Sequence, residues 1–269
     1  MAAQVQHKDN RVIFLRLTIV LMGVVLVTIP LLLLAISARL LRLSVADKIP
    51  QYFHRCLLKL FGVSVKIAGE RKQKCPLIIV ANHLSWLDIM VIGASFPCYF
   101  IAKSDIASWP VLGFLAKIQN TIFVNRKAKG ADIGTQVKNI TEALKKNKTI
   151  ILFPEGTTSD GNKTLPFKSA LLAAAKKNDD YQAYVQTLCL NYHEISGMPV
   201  HRKQKPYIAW YGDMGLLSHV KDVLSQSPIT VQLCFGSCIL YDAFETRQKM
   251  AKYLENSIRS TYTQRQIAS

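Results

Sequence analysis

The chain has 269 residues, half of them hydrophobic, which is enough for one α/β domain of ordinary size plus an appendage. Lysine and arginine total 34 against 17 acidic residues, and the resulting formal charge of +17 calls for an anionic partner. Nucleic acid is excluded as the best guess, because no zinc-finger spacing or RNP signature accompanies the charge and a long uncharged run near the N-terminus points to a lipid surface instead.

That run covers residues 17–36, twenty positions without a charge, long enough to cross a hydrocarbon core of about 30 Å as a helix. Pro30 argues against a straight rod, so a kinked or re-entrant segment stays open beside a spanning one. A secretory signal with Lys8, Arg11 and Arg16 as its charged start competes, but the apolar stretch exceeds the usual h-region, and an uncleaved anchor is preferred. Arg39, Arg42, Lys48 and Arg55 follow the segment, one more cation than precedes it, which puts the remainder of the chain on the cytoplasmic side of a membrane. The division expected is a membrane anchor over residues 1–48 and an α/β domain over 49–269. The stretch from Tyr52 to Phe61 alternates basic and apolar groups and suits either an interfacial helix or an ordinary amphipathic one.

Beyond the anchor, strands are predicted over residues 63–68, 77–81, 99–102, 121–124, 149–153, 184–190 and 229–235. Helices are predicted after Asp88, near 133–146, near 167–177 and over 242–259, giving an α/β fold with a mixed sheet flanked by helices. Residues 192–205 are polar and predict a loop over the site mouth. The six cysteines form no C-x-x-C pair and read as free thiols of a reducing compartment.

Two strand exits carry chemistry. After 77–81 comes Asn82-His83-Leu84-Ser85-Trp86-Leu87-Asp88, in which His83 suits a general base and Asp88 the carboxylate that orients it. Ser85 and Asp88 also form a capping box before an apolar run, so the pattern alone is explained by a helix start. After 149–153 comes Phe153-Pro154-Glu155-Gly156-Thr157, and ligand sites in α/β sheets lie outside the carboxyl ends of strands, which would bring both motifs to one cleft. Between them lies Ile122-Phe123-Val124-Asn125-Arg126, a short strand with an arginine at its exit.

In this order and spacing the three motifs resemble those of the lysophospholipid acyltransferases, of the 1-acylglycerol-3-phosphate type, over roughly residues 60 to 240. The resemblance implies the glycerol-phosphate-acyltransferase-like fold and a mechanism. His83 would take the proton of the acceptor hydroxyl and Asp88 would support it; Arg126, Glu155, Gly156 and Thr157 would bind the acceptor; Asn82, Ser85 and Lys103 would support the site. It implies no cofactor, with an acyl carrier protein or coenzyme A thioester as co-substrate and membrane lipids as partners. The absence of a G-x-S-x-G elbow agrees with direct attack by the lipid hydroxyl and no acyl-enzyme.

The main expectation is therefore a membrane-bound O-acyltransferase making phosphatidic acid from 1-acyl-sn-glycerol-3-phosphate. Three positions depart from the family pattern: Thr158 stands where arginine is frequent, Thr187 where proline is frequent, and Asn120 where glycine is usual. Thr158 removes a candidate phosphate-binding cation, and the run from Thr158 to Ser169 with Trp210-Tyr211-Gly212-Asp213-Met214 is closer to a bacterial branch containing lyso-ornithine lipid acyltransferases, the alternative acceptor. A non-catalytic, membrane-anchored lipid-binding protein is the alternative of another class.

Overall fold

The computed structural model describes residues 10–73, 75–125, 130–177 and 181–267. A long helix α1 (Asn10–Leu40) and a second, α2 (Ile49–Phe61), precede an α/β body with strands β1 (Val63–Ala68), β2 (Leu77–Ala81), β3 (Tyr99–Lys103), β4 (Ile122–Val124), β5 (Thr149–Leu152), β6 (Tyr184–Ile195), β7 (Met198–Pro199) and β8 (Ile229–Leu240). Helices α3 (Leu87–Ser95), α4 (Pro110–Ile118), α5 (Ala131–Lys145), α6 (Leu216–Gln226) and α7 (Arg247–Ile267) connect or flank them.

The strands form one mixed sheet in the order β1-β8-β6-β2-β5-β3-β4, with β7 paired to β6. Every residue of β2 and β5 is buried, as expected of central parallel strands covered on both faces, and this is why their sequences read as unbroken apolar runs. β6 and β8 run antiparallel to each other over twelve residues each, well past the predicted ends. That extension corrects the expected loop at 192–205. Tyr192 to Ile195 continue β6, Met198 and Pro199 return as β7, and Arg202–Tyr207 form a 3-10 turn.

Other expectations also change. The helix near 167–177 is a 3-10 run, Ala170–Ala175, and α4 and α6 had not been foreseen. Thr187 lies inside β6, buried at a register irregularity where Gly236 of β8 leaves room for its hydroxyl. Asn120 has φ of 57°, a left-handed conformation that glycine adopts freely and asparagine tolerates, so the substitution is a backbone matter.

Helix α1 has the length and apolarity of a membrane helix, yet it packs along the body from end to end. Arg16 reaches the Ser227 carbonyl after α6, Val20 joins the main core, Gly23 lies against Leu60 of α2, and Ala35 and Ala38 pack with Ile49. The opposite face, including Leu15, Ile19, Met22, Leu26, Ile29 and Leu33, is exposed. Within α2, Ile49, His54, Leu57, Leu58 and Phe61 are buried, so α2 is an amphipathic helix of the body.

Candidate active site

β2 and β5 are parallel neighbours with Val80 opposite Leu152, so the chain leaves both at the same sheet edge and their exit loops meet. Asn82 fixes the first loop to the sheet: its side-chain amide donates to the Leu190 carbonyl at 3.0 Å and its oxygen accepts the Leu190 N–H at 2.8 Å. The loop then turns into α3, which brings Asp88 back under His83.

Asp88 is fully buried, and a buried carboxylate needs partners for both oxygens. Its Oδ2 lies 2.8 Å from His83 Nδ1 and accepts the N–H groups of Leu84 at 2.7 Å and Ser85 at 2.9 Å. Oδ1 accepts the Tyr192 hydroxyl at 2.6 Å. Half of the expected capping box is present: Asp88 reaches back to the Ser85 N–H, while the Ser85 hydroxyl accepts from Leu87 at 3.4 Å and the helix begins at Leu87. One carboxylate therefore ties down the turn before the helix and lies against the imidazole.

Glu155 anchors the second loop to the first. Its Oε1 accepts the His83 N–H and its Oε2 the Leu165 N–H, each at 2.8 Å, and the carboxyl is buried. Burial pushes its pKa up to about 7 against the opposing pull of those two donors. The His83 carbonyl accepts the Ser159 N–H at 2.9 Å, and the Phe153 ring stacks on the imidazole with centroids 4.0 Å apart and planes 14° apart. Backbone, ring plane and Nδ1 of His83 are thus all held.

His83 also borders a cavity of about 240 Å³ whose walls are largely apolar, with Trp86, Ile101, Val124, Leu152 and Leu171 among them. Lys168, Trp210 and Gly156 lie on the same rim. At Gly156 φ is 72° and a Cβ would come within 2.9 Å of the Lys168 ammonium, so the glycine serves both the turn and the close approach. Trp86 is pinned by donating its indole N–H to His219 Nδ1 of α6 at 2.9 Å. Trp210 donates its backbone N–H to Leu84 at 2.8 Å and its indole N–H to Met214 at 2.7 Å. Hence the aromatic segment noted in the sequence is built against the His83 loop. Among the described residues no group of three His, Cys, Asp or Glu is placed to hold a metal ion.

Of the residues expected at the site, His83 and Gly156 line the cavity, while Asn82, Ser85, Asp88 and Glu155 lie buried behind it. Both Glu155 oxygens are engaged by backbone donors, so its place is in the frame of the site rather than on the cavity wall. Thr157 is exposed, and Lys103 pairs with Asp105 at the end of β3. Arg126 lies outside the described residues. Tyr192, Lys168 and the Phe153 ring were not foreseen. Phe153 had a sequence signal in its place in the second motif and Lys168 in the run from Thr158 to Ser169, whereas Tyr192 had none.

The sequence profile of the Acyltransferase family matches residues 63–191. A lyso-ornithine lipid O-acyltransferase from Rhizobium meliloti is 36% identical to the chain, over 92% of it and 86% of that protein. One from Brucella abortus is 37% identical over 79% and 81%. A 1-acyl-sn-glycerol-3-phosphate acyltransferase from Neisseria gonorrhoeae is 35% identical over 68% of each. The crystal structure of the 1-acyl-sn-glycerophosphate acyltransferase PlsC from Thermotoga maritima covers 81% of the chain and 79% of its own with a TM-score of 0.55 at 20% identity, a likeness of fold.

Proposed function

We propose a lyso-ornithine lipid as the acyl acceptor of this chain, which belongs to the acyltransferase family of the bacterial lyso-ornithine lipid and 1-acylglycerol-3-phosphate enzymes. The chain is an acyltransferase of lipid biosynthesis. What favours the aminolipid over lysophosphatidate, the acceptor expected from the motifs, is the extent of likeness: the Rhizobium meliloti relative matches almost the whole chain, the Neisseria gonorrhoeae one two thirds of it. Thr158, in place of a frequent arginine, points the same way.

The observation that carries the chemistry is His83, bound to Asp88 through Nδ1 and open to an apolar cavity along its other edge. With Nδ1–H donating to Asp88, Nε2 is left as the acceptor of the lipid hydroxyl proton. The hydroxyl oxygen attacks the thioester carbonyl as that proton passes to Nε2. Collapse of the tetrahedral intermediate breaks the C–S bond, and the imidazolium returns the proton to the departing thiolate. Asp88 steadies the imidazolium meanwhile. The apolar cavity suits a fatty acyl chain, and the Lys168 ammonium on its rim suits the carboxylate of an amino-acid headgroup. Glu155 acts by holding the His83 backbone. Arg126 and Thr157 remain candidates for the acceptor's polar end, and Lys103 for an outer contact.

The apolar N-terminal helix is consistent with membrane association. In this proposal α1 lies with one face on the body and the other in lipid, so the anchor, residues 1–48, and the catalytic domain, 49–269, function as one unit. The site then opens to the cytoplasmic face, where carrier-protein or coenzyme A thioesters are supplied.

Thiol release by purified protein in detergent tests the assignment, with acyl thioester and either lyso-ornithine lipid or lysophosphatidate as acceptor. Faster release with the aminolipid is expected, and His83→Ala should lower it by about 10²–10⁴ with the fold intact. Release with lysophosphatidate alone would transfer the assignment to that acceptor, and release with neither, under any thioester, would return the chain to a lipid-binding role.

A further inference from the structure

Helix α4 is apolar where it faces solvent. Trp109, Val111, Leu112 and Phe114 are 40%, 67%, 42% and 47% exposed, although α4 spans only nine residues. Single exposed apolar side chains are ordinary; four contiguous ones on a short helix form a patch that needs a cover. The buried side of α4 is occupied by Gly113, which lies so close to the carbonyls of Ile106 and Ala107 that a Cβ would reach within 2.6 Å of them. The helix is therefore set firmly on the preceding turn with its larger side chains outward.

The C-terminal end of α4 packs on the body-facing side of α1. Leu115, Ile118 and Gln119 at the end of α4 share a small apolar pocket with Leu31, Leu32 and Ala35 of α1, and Arg39 donates to the Ile118 carbonyl. Close by, the chain leaving α1 exposes Leu40, Leu41, Leu43 and Val45. Exposed Lys117 lies at one margin of the patch, while Lys103 at the other is paired with Asp105. The composition, with an exposed tryptophan at the helix start and a lysine near its end, is that of a segment at a membrane–water boundary.

We propose that α4 is a second membrane-docking element, which seats its apolar face in the same leaflet as α1 and draws on anionic headgroups through Lys117. The cover is lipid rather than protein because Arg39 ties the end of α4 to the end of α1, beside the exposed Leu40, Leu41, Leu43 and Val45 that extend the apolar surface of the N-terminal helix. Its position gives it a task as well. The 3-10 turn that carries α4, Ser104–Ser108, supplies Ile106 to the wall of the His83 cavity, next to Ile101 and Ala102 of β3. Docking of α4 thereby sets that wall of the cavity against the leaflet, so that a lipid can pass from bilayer to His83 without its chains crossing water. This inference rests on α1 facing lipid and is independent of which lipid is the acceptor.

The test uses the full chain with vesicles of equal parts phosphatidylcholine and phosphatidylglycerol. Dibrominated acyl chains should quench a component of the tryptophan emission that is missing in Trp109→Phe, since bromine acts only on indoles at the depth of the tails. Val111→Glu with Phe114→Glu should weaken vesicle sedimentation by about tenfold or more, given the apolar area withdrawn from lipid. The same variant should keep its rate of thiol release with a short-chain acceptor in detergent, where no leaflet has to be reached, and this reports that it is folded and separates docking from catalysis. Vesicle-bound protein whose Trp109 component is unquenched would overturn the proposal. So would a double variant that binds vesicles normally but changes from dimer to monomer in detergent, which would assign the patch to a second copy of the chain.

Discussion

Tyr192 shows what a single hydroxyl can contribute at this site. It lies 104 positions beyond Asp88 in the chain and reaches it because β6 is the neighbour of β2, with Ala81 opposite Leu188. Removing that donor leaves one oxygen of a buried carboxylate without a described partner, a change worth about 1–3 kcal/mol. In Tyr192→Phe kcat should fall about tenfold while KM for the thioester holds, because Asp88 keeps its bonds to His83 and the loop but is less firmly placed. An unaltered kcat would make Tyr192 a packing residue only. Glu155 makes a different prediction, in pH. Its carboxyl titrates near 7 in the folded protein against about 4.5 when unfolded, so between those values the folded state holds a proton the unfolded chain has lost. Stability from this group is present below about 4.5 and is lost as pH rises through 7, an effect on the order of 3 kcal/mol. Glu155→Gln has no such titration. The advantage of the native protein in thermal midpoint should therefore shrink from pH 5 to pH 8, and a constant difference would mean that the carboxyl is ionised throughout.

Among the elements, legibility followed burial. β2 and β5 were readable because both their faces are covered, and β1 because its pattern ends cleanly at Gly62 and Gly69. The far halves of β6 and β8 were not, since Asn191, His193 and Glu194 look like loop residues until their partners across the ladder are known. α4 was missed for the reason that makes it interesting: its outward residues are apolar, so no polar face marks it as a helix. The His83 and Asp88 pair could be singled out only with the two later motifs beside it, since its spacing alone reads as a helix start, whereas the cavity, Tyr192 and Lys168 depend on which strands become neighbours. The α2–α3 contact offers a test of packing at this scale. A Cβ on Gly93 of α3 would come within 2.5 Å of the His54 ring of α2, and the ring is buried, its pKa lowered to about 4 by that burial. Gly93→Ala should destabilise by about 1–3 kcal/mol, and combining it with His54→Ala should cost less than the sum of the two single changes. Strict additivity in denaturant titrations would show that the helices move apart freely at this point.

For the whole molecule the decisive question is whether α1 is a tether or a wall of the fold. A tether touches the body near its end, but here Arg16, Val20, Gly23, Ala35 and Ala38 all engage it, while the other face carries exposed leucine, isoleucine and methionine. The small residues matter because they let the helices come close. A Cβ on Gly23 would lie 2.7 Å from a methyl of Leu60, and the main core includes Val20 one turn before it. Gly23→Leu should therefore lift α1 from α2, cost about 1–3 kcal/mol from overpacking, and lower the thermal midpoint in detergent by several degrees. Val25→Leu, on the exposed face, adds a methylene where only lipid or detergent has to accommodate it, and its midpoint should stay at the native value. Thiol release should follow the same division, because α2 packs on α3, the helix that carries Asp88. If Gly23→Leu matched Val25→Leu in both midpoint and rate, α1 would be an anchor alone and the catalytic body would stand without it.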